Sequence, residues 1–210
     1  MIANVLLVGA IGVLTPLVPG QAGGTMPGLP RPGPALPAPV LPATDPAPDI
    51  TRIKSYGGTD RQVGAAIYDD VTAAESFCAK VPGDYRIDCL ADRLKTIAAA
   101  IPAGTPYSGD TRAALARAAA DLDRVARDSY DRARPARSFQ TGGARPQASG
   151  RALRPVAAAR KVAALGRSVA ILEEAQTLLL RSSRTQPVAG PQIARIAAAV
   201  GSNKLLLRSA

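Results

Sequence analysis

The chain contains no histidine and no tryptophan, only two cysteines, and only seven aromatic residues among 210. The missing histidine excludes Ser-His-Asp and Cys-His catalysis and every histidine-ligated metal site. Two cysteines are too few for a four-cysteine zinc site or an iron–sulfur cluster. With five Tyr and two Phe, the sequence argues against a stacking platform for single-stranded nucleic acid. Runs of β-branched residues are scarce, which argues against a β-sandwich or a parallel sheet. The phosphate-cradling loops GxxxxGK[ST] and GxGxxG, the GxSxG nucleophile elbow and the HExxH pattern do not occur. No cofactor is implied, and the chain reads as a non-enzyme.

What is present is alanine, proline and arginine. Ala accounts for 42 residues, Pro for 19, and the formal net charge is +10. Residues 1–22 open with MIANVLLVGAIGVLTPLVP and place Gly20-Gln21-Ala22 at a small-residue cleavage position. This pattern reads as a signal peptide. Retention of residues 1–19 as a membrane anchor is the alternative, although two glycines and two prolines interrupt that run. Residues 23–50 are rich in proline and carry PxxP steps from Pro27, Pro34 and Pro39. Proline blocks helix and removes ladder donors, so a disordered or polyproline spacer is expected, with docking to a proline-binding module as the rival reading.

From Thr59 the apolar spacing becomes helical. Val63, Ile67, Val71, Ala74 and Cys78 define one face of a helix capped by Thr59 or Asp60 and running to about Lys80. Pro82 and Gly83 break it. Ile87, Leu90, Leu94, Ile97 and Ile101 define the next, from about Tyr85 to Ala100, which Pro102 closes. Leu115, Ala118, Leu122, Val125 and Ser129 define a third, capped by Asp110 and reaching about Arg132, with i,i+4 charge pairs on its other face. A basic, Gly-containing stretch at 134–153 reads as a flexible linker. A fourth helix is expected with Pro155 in its first turn and Val162, Leu165, Val169, Leu172, Gln176 and Leu179 on its face. A fifth starts at Gly190-Pro191 and ends at Gly201 or runs on to Leu207. The fold class is therefore all-α: a small bundle made of an antiparallel hairpin plus two or three further helices. Residues 51–133 and 154–210 form its two helical parts, sharing one core or holding two.

Cys78 and Cys89 fall on either side of the hairpin turn, within reach of a disulfide. Closing so short a loop contributes about 2–3 kcal/mol in the chain-entropy model. The spacing is not CxxC and no histidine is present to activate a thiolate, which disfavours redox chemistry; two free buried thiols are the other alternative. A disulfide and an export signal support each other and point to a periplasmic or secreted protein.

The charge is uneven. Residues 49–131 carry 11 basic and 13 acidic side chains, whereas residues 132–210 carry 14 and 2. Arg132, Arg134, Arg137, Arg145, Arg151, Arg154, Arg160 and Lys161 are the candidate contacts for an anionic partner, since arginine suits bidentate phosphate or carboxylate recognition. An acidic envelope surface, an acidic protein or a peripheral bilayer contact would fit; nucleic acid is disfavoured. Internal docking of the basic half on the acidic helices, and a compositional arginine bias without any ligand, are the competing explanations. Asp69-Asp70 and the stripe Asp84, Asp88 and Asp92 are the best carboxylates for acid–base or metal chemistry; Asp121-Leu122-Asp123 lacks the rest of a calcium-loop pattern. Like charges at i,i+4 repel, so the stripe calls for a positive partner. The expected function is an exported, envelope-associated interaction protein. The alternatives are a helical adaptor binding through helices four and five, with Leu172 and Leu179 as contacts, and a metal-dependent enzyme built on the Asp stripe.

Overall fold

The computed structural model describes residues 56–142 and 146–210. The readings of 1–22 as signal peptide or anchor and of 23–50 as spacer lie outside the described residues, as does Arg145. Five α-helices make up most of the described chain: α1 (Asp60–Ala79), α2 (Arg86–Ala100), α3 (Asp110–Asp128), α4 (Lys161–Thr185) and α5 (Gly190–Arg208). A two-residue ladder of β1 (Gln140–Thr141) with β2 (Gln147–Ala148) lies between α3 and α4.

Each of the first three helices uses the apolar face that its sequence spacing sets. Val63, Ile67, Val71, Ala74 and Cys78 are all buried on α1, Ile87, Leu90, Leu94 and Ile97 on α2, and Leu115, Ala118, Leu122 and Val125 on α3. Thr59 caps α1 in a reciprocal box. The Gln62 amide N–H donates to the Thr59 hydroxyl at 3.4 Å, and the Thr59 N–H donates to the Gln62 side chain at 2.8 Å. Gly58, at φ +104°, makes the left-handed turn that leads into this cap. A 3-10 turn over Gly83–Tyr85 precedes α2. Ile101 takes an extended conformation before Pro102, as residues preceding proline do, and α2 stops there.

Three boundaries differ from the sequence reading. Gly109, not Asp110, occupies the cap position of α3; Asp110 is the first helical residue, where its charge suits the positive end of the helix dipole. Helix α3 stops at Asp128 because the chain turns into an antiparallel bridge between Tyr130 and Val156. Pro155 is not in the first turn of α4. Val156 is paired with Tyr130 in the antiparallel bridge and Ala157 is still extended (φ −64°, ψ 137°), so the helical backbone begins only after them.

The face of α4 is also rotated. Its buried residues are Ala164, Ser168, Leu172, Ala175, Leu179 and Ser182, while Val162 is 86% exposed. Small side chains alternate with Leu172 and Leu179 on the buried face, while Leu165 and Val169 pack half-buried at its margin and Val162 faces solvent. Helix α5 continues through Gly201, which is buried against the Gln176 amide with no room for a Cβ (2.6 Å to Nε2).

The largest departure is the stretch read as a flexible linker at 134–153. It forms the two arms of a long, irregular antiparallel strap. Tyr130 pairs with Val156 and Arg137 with Leu153, and β1 with β2 closes the far end. Leu153 and Val156 enter the main core, and Ala148 is buried as well. Phe139 packs edge-on against Tyr85 at 5.0 Å between ring centroids. Residues contributed by all five helices and by the strap form one hydrophobic cluster. The two helical parts, 51–133 and 154–210, therefore share a core across the residues described.

Candidate functional site

The Cys78–Cys89 disulfide is formed, with 5.8 Å between the Cα atoms, and links α1 to α2 across the hairpin turn. Neither cysteine is exposed. A disulfide indicates an oxidising, extracytoplasmic setting. No helix among the described residues is long and apolar enough to cross a membrane.

The acidic stripe is where the chemistry of the fold concentrates. Asp84, Asp88 and Asp92 lie on one side of the 3-10 turn and α2, and the strap lies over them. Arg134 reaches Asp84 at 2.5 Å and Asp131 at 2.9 Å. Asp88, wholly buried, receives both terminal nitrogens of Arg151 at 2.6 Å. Arg154 adds its Nε at 3.2 Å, its Nη2 at 2.7 Å and its backbone N–H at 2.8 Å. Asp92 accepts the Gly150 N–H at 2.8 Å and lies 3.7 Å from the Arg151 Nε. Asp123, from α3, closes the network by pairing with Arg151 at 3.2 Å and with Arg154. The returning arm thus reads the stripe in reverse, with Val156 at the Asp84 carbonyl, Arg154 at Asp88 and Gly150 at Asp92.

Asp84 and Asp88 are held ionised. Burial alone would raise Asp88, but the hydrogen bonds from Arg151 and Arg154 outweigh it and hold the group below the usual carboxylate range. Asp84 is likewise lowered, with burial again opposing and Arg134 prevailing. Charge-assisted pairs of this kind are bidentate and directional, and they fix register as well as contributing energy. The three carboxylates offered by sequence for metal or acid–base work are therefore each engaged by the strap. Asp121-Leu122-Asp123 divides similarly: Asp121 pairs with Arg124 at 2.9 Å, and Asp123 joins the network. Of the Asp69-Asp70 pair, Asp69 is exposed while Asp70 accepts the Tyr56 hydroxyl at 2.7 Å. Burial raises Asp70, and the Tyr56 hydrogen bond only partly counters it.

Of the eight cations singled out by sequence, the seven that lie among the described residues fall into two sets. Arg134, Arg151 and Arg154 face inward onto the stripe. Arg132, Arg137, Arg160 and Lys161 have no carboxylate within 4.0 Å among the described residues. Arg132 and Arg160, together with Arg127, line a polar basin of about 700 Å³ where α3 ends and α4 begins. Asp128, Tyr130 and Asp131 also line it, and Arg160 donates to the Asp128 carbonyl at 2.6 Å. Lys161 follows, and then the exposed Val162. Leu172 and Leu179, offered as adaptor contacts, are fully buried and bind the core instead.

Two long-range connections, those of Asp123 and Arg86, carry no signal in the sequence. Asp123 pairs with residues 28 and 31 positions away, which no local spacing reveals. Arg86 donates to the carbonyls of Ala79 at 3.3 Å, Leu206 at 3.3 Å and Ser209 at 3.1 Å. It thereby joins the carbonyl ends of α1 and α5, where a cation also suits both helix dipoles.

The fold thus defines a class: an all-α, disulfide-clipped bundle bound by an ionic strap. Comparison with family models, with curated proteins and with solved structures finds no match.

Proposed function

We propose that this is an exported, periplasmic or secreted, non-enzymatic protein that contacts an acidic envelope surface. The contact is made by the part of its basic half not consumed by the strap. The observation that carries this reading is the basin between α3 and α4. There Arg132 and Arg160 are exposed beside Lys161, without a carboxylate partner among the described residues. Val162, two residues beyond Arg160 in the chain and exposed, adds an apolar contact suited to a lipid interface. The disulfide supports the oxidising compartment, and residues 1–22 supply a signal-like segment.

Co-sedimentation with vesicles of phosphatidylglycerol and phosphatidylcholine tests the proposal. Binding is expected to the anionic vesicles and not to pure phosphatidylcholine, with release at high salt. Each basic residue near such a surface contributes about 1 kcal/mol. The R132A/R160A/K161A variant is thus expected to bind on the order of a hundredfold more weakly. Unchanged binding of that variant at low salt would refute the assignment. The intact mass of protein from its native host tests export, with cleavage after Ala22 as the expected result and a retained full-length chain as the contrary one.

A further inference from the structure

A groove of about 510 Å³ runs between α2 and α3, on the flank beyond the strap network. This volume falls within the range of about 300–1,000 Å³ typical of small-ligand sites. Six alanines line it: Ala91, Ala98 and Ala99 from α2, and Ala116, Ala119 and Ala120 from α3. Ala91, Ala98 and Ala119 are buried in the contact between the helices. Ala99, Ala116 and Ala120 are exposed and leave the trough open. Larger side chains at these three positions would fill it.

The rim is charged and its charges are unbalanced. Lys95, Arg112, Arg124, Arg127 and Arg151 border the groove against only Asp92 and Asp123. Both carboxylates are occupied. Asp92 takes the Gly150 N–H, while Asp123 takes Arg151 and Arg154 on one oxygen and Arg127 on the other. The remaining capacity is on the donor side. Lys95 is exposed and has no carboxylate within 4.0 Å among the described residues. The Arg112 guanidinium donates to the Ile101 carbonyl and, like Lys95, has no carboxylate within 4.0 Å among the described residues.

We infer that this groove binds a single-chain amphiphile with an anionic headgroup, of the fatty-acid type. The acyl chain lies along the alanine floor, and the carboxylate meets Lys95 and Arg112. An inorganic anion would leave the alanine floor uncovered, and an uncharged chain would leave the donors unmet. This inference is independent of the vesicle-binding reading, because none of Arg132, Arg160 and Lys161 borders the groove.

The test uses the full chain with alanine methyls labelled for NMR, titrated with decanoate below its micellar concentration. Decanol and acetate serve as chain-only and headgroup-only controls. Decanoate is expected to shift the methyls of Ala99, Ala116 and Ala120 saturably, with decanol weaker and acetate inert. Lys95→Glu is expected to weaken decanoate about tenfold, the scale of one lost charge-assisted hydrogen bond. The A116L/A120L variant changes exposed positions, keeps the fold as judged by its melt, and is expected to abolish binding. Equal affinity for decanol and decanoate would overturn the inference, as would undiminished binding by A116L/A120L or shifts located elsewhere. Concentration-dependent dimerisation through these methyls without ligand would overturn it too, by making a second copy the occupant.

Discussion

Replacing Asp88 should be the most damaging single change in the polar part of this protein. Its carboxylate is fully buried and accepts two hydrogen bonds from Arg151, two from the Arg154 side chain and one from the Arg154 backbone. Asp88→Ala would leave two guanidinium groups facing a site with no carboxylate at its centre. Removing one partner of a buried ionic cluster costs about 3–5 kcal/mol, a large share of the roughly 5–15 kcal/mol that stabilises a typical domain. Arg154→Ala should cost less, about 1.5–3 kcal/mol, because Arg151 still satisfies both oxygens of Asp88. Urea denaturation of both single variants and the double variant would give a coupling energy of at least about 1 kcal/mol. Hydrogen exchange would report where the loss falls. The N–H groups of Gly150, Leu153 and Arg154 should exchange much faster in Asp88→Ala, with the amides of α1 less affected. A loss below about 1 kcal/mol, with strap exchange unchanged, would refute the claim that the acidic stripe holds the strap.

Other consequences follow from the same structure. Asp84 and Asp88 are lowered in the folded state. Their stabilisation is fully present above the unfolded carboxylate value near pH 4 and is lost as pH falls through the lower folded values. Strap amides should therefore lose protection below about pH 4. Asp70 is shifted the opposite way, so exchange at the strap isolates this effect better than a global melt. Reduction of Cys78–Cys89, or C78S/C89S, should cost about 2–3 kcal/mol. That lowers Tm by several degrees in a scan against the oxidised protein. Leu153→Ala, at a residue with no exposed surface, should cost about 2–5 kcal/mol in urea denaturation. Gly64→Ala should destabilise by about 1–3 kcal/mol in the same assay, because the added Cβ would lie 2.8 Å from Gln192 Cβ on α5 and press on the Tyr107 hydroxyl.

Much of the fold is legible in the chain because helix burial is a local matter. A step of three or four residues puts Val63, Ile67 and Val71 on one side of α1 whatever they pack against. The hairpin and its disulfide are legible for the same reason: Pro82 and Gly83 fix the turn, and the two cysteines lie close on either side of it. Helix α4 shows the limit. Several of its faces carry apolar residues, and the sequence ranks Val162, Leu165 and Val169 by size. The tertiary contacts bury the small Ala164, Ser168 and Ala175 beside Leu172 and Leu179, leave Leu165 and Val169 half-buried at the margin, and expose Val162.

The strap had no local signal. Its Pro, Gly and Arg content suits a solvated linker, and its few apolar anchors, Phe139, Leu153 and Val156, are too widely spaced to show a period. The amino-acid sequence by itself determined the helical class, the buried faces of α1, α2, α3 and α5, the disulfide hairpin and the concentration of positive charge after α3. It also posed the problem of an acidic stripe in need of a cation. Only the tertiary structure decided which cations answer it, because Asp88 meets Arg151 and Arg154 across 63 and 66 residues. Pairing at that separation depends on where the strap docks, and docking depends on Leu153 and Val156 entering a core built by the helices. That choice turned three arginines inward and left Arg132, Arg160 and Lys161 at the surface.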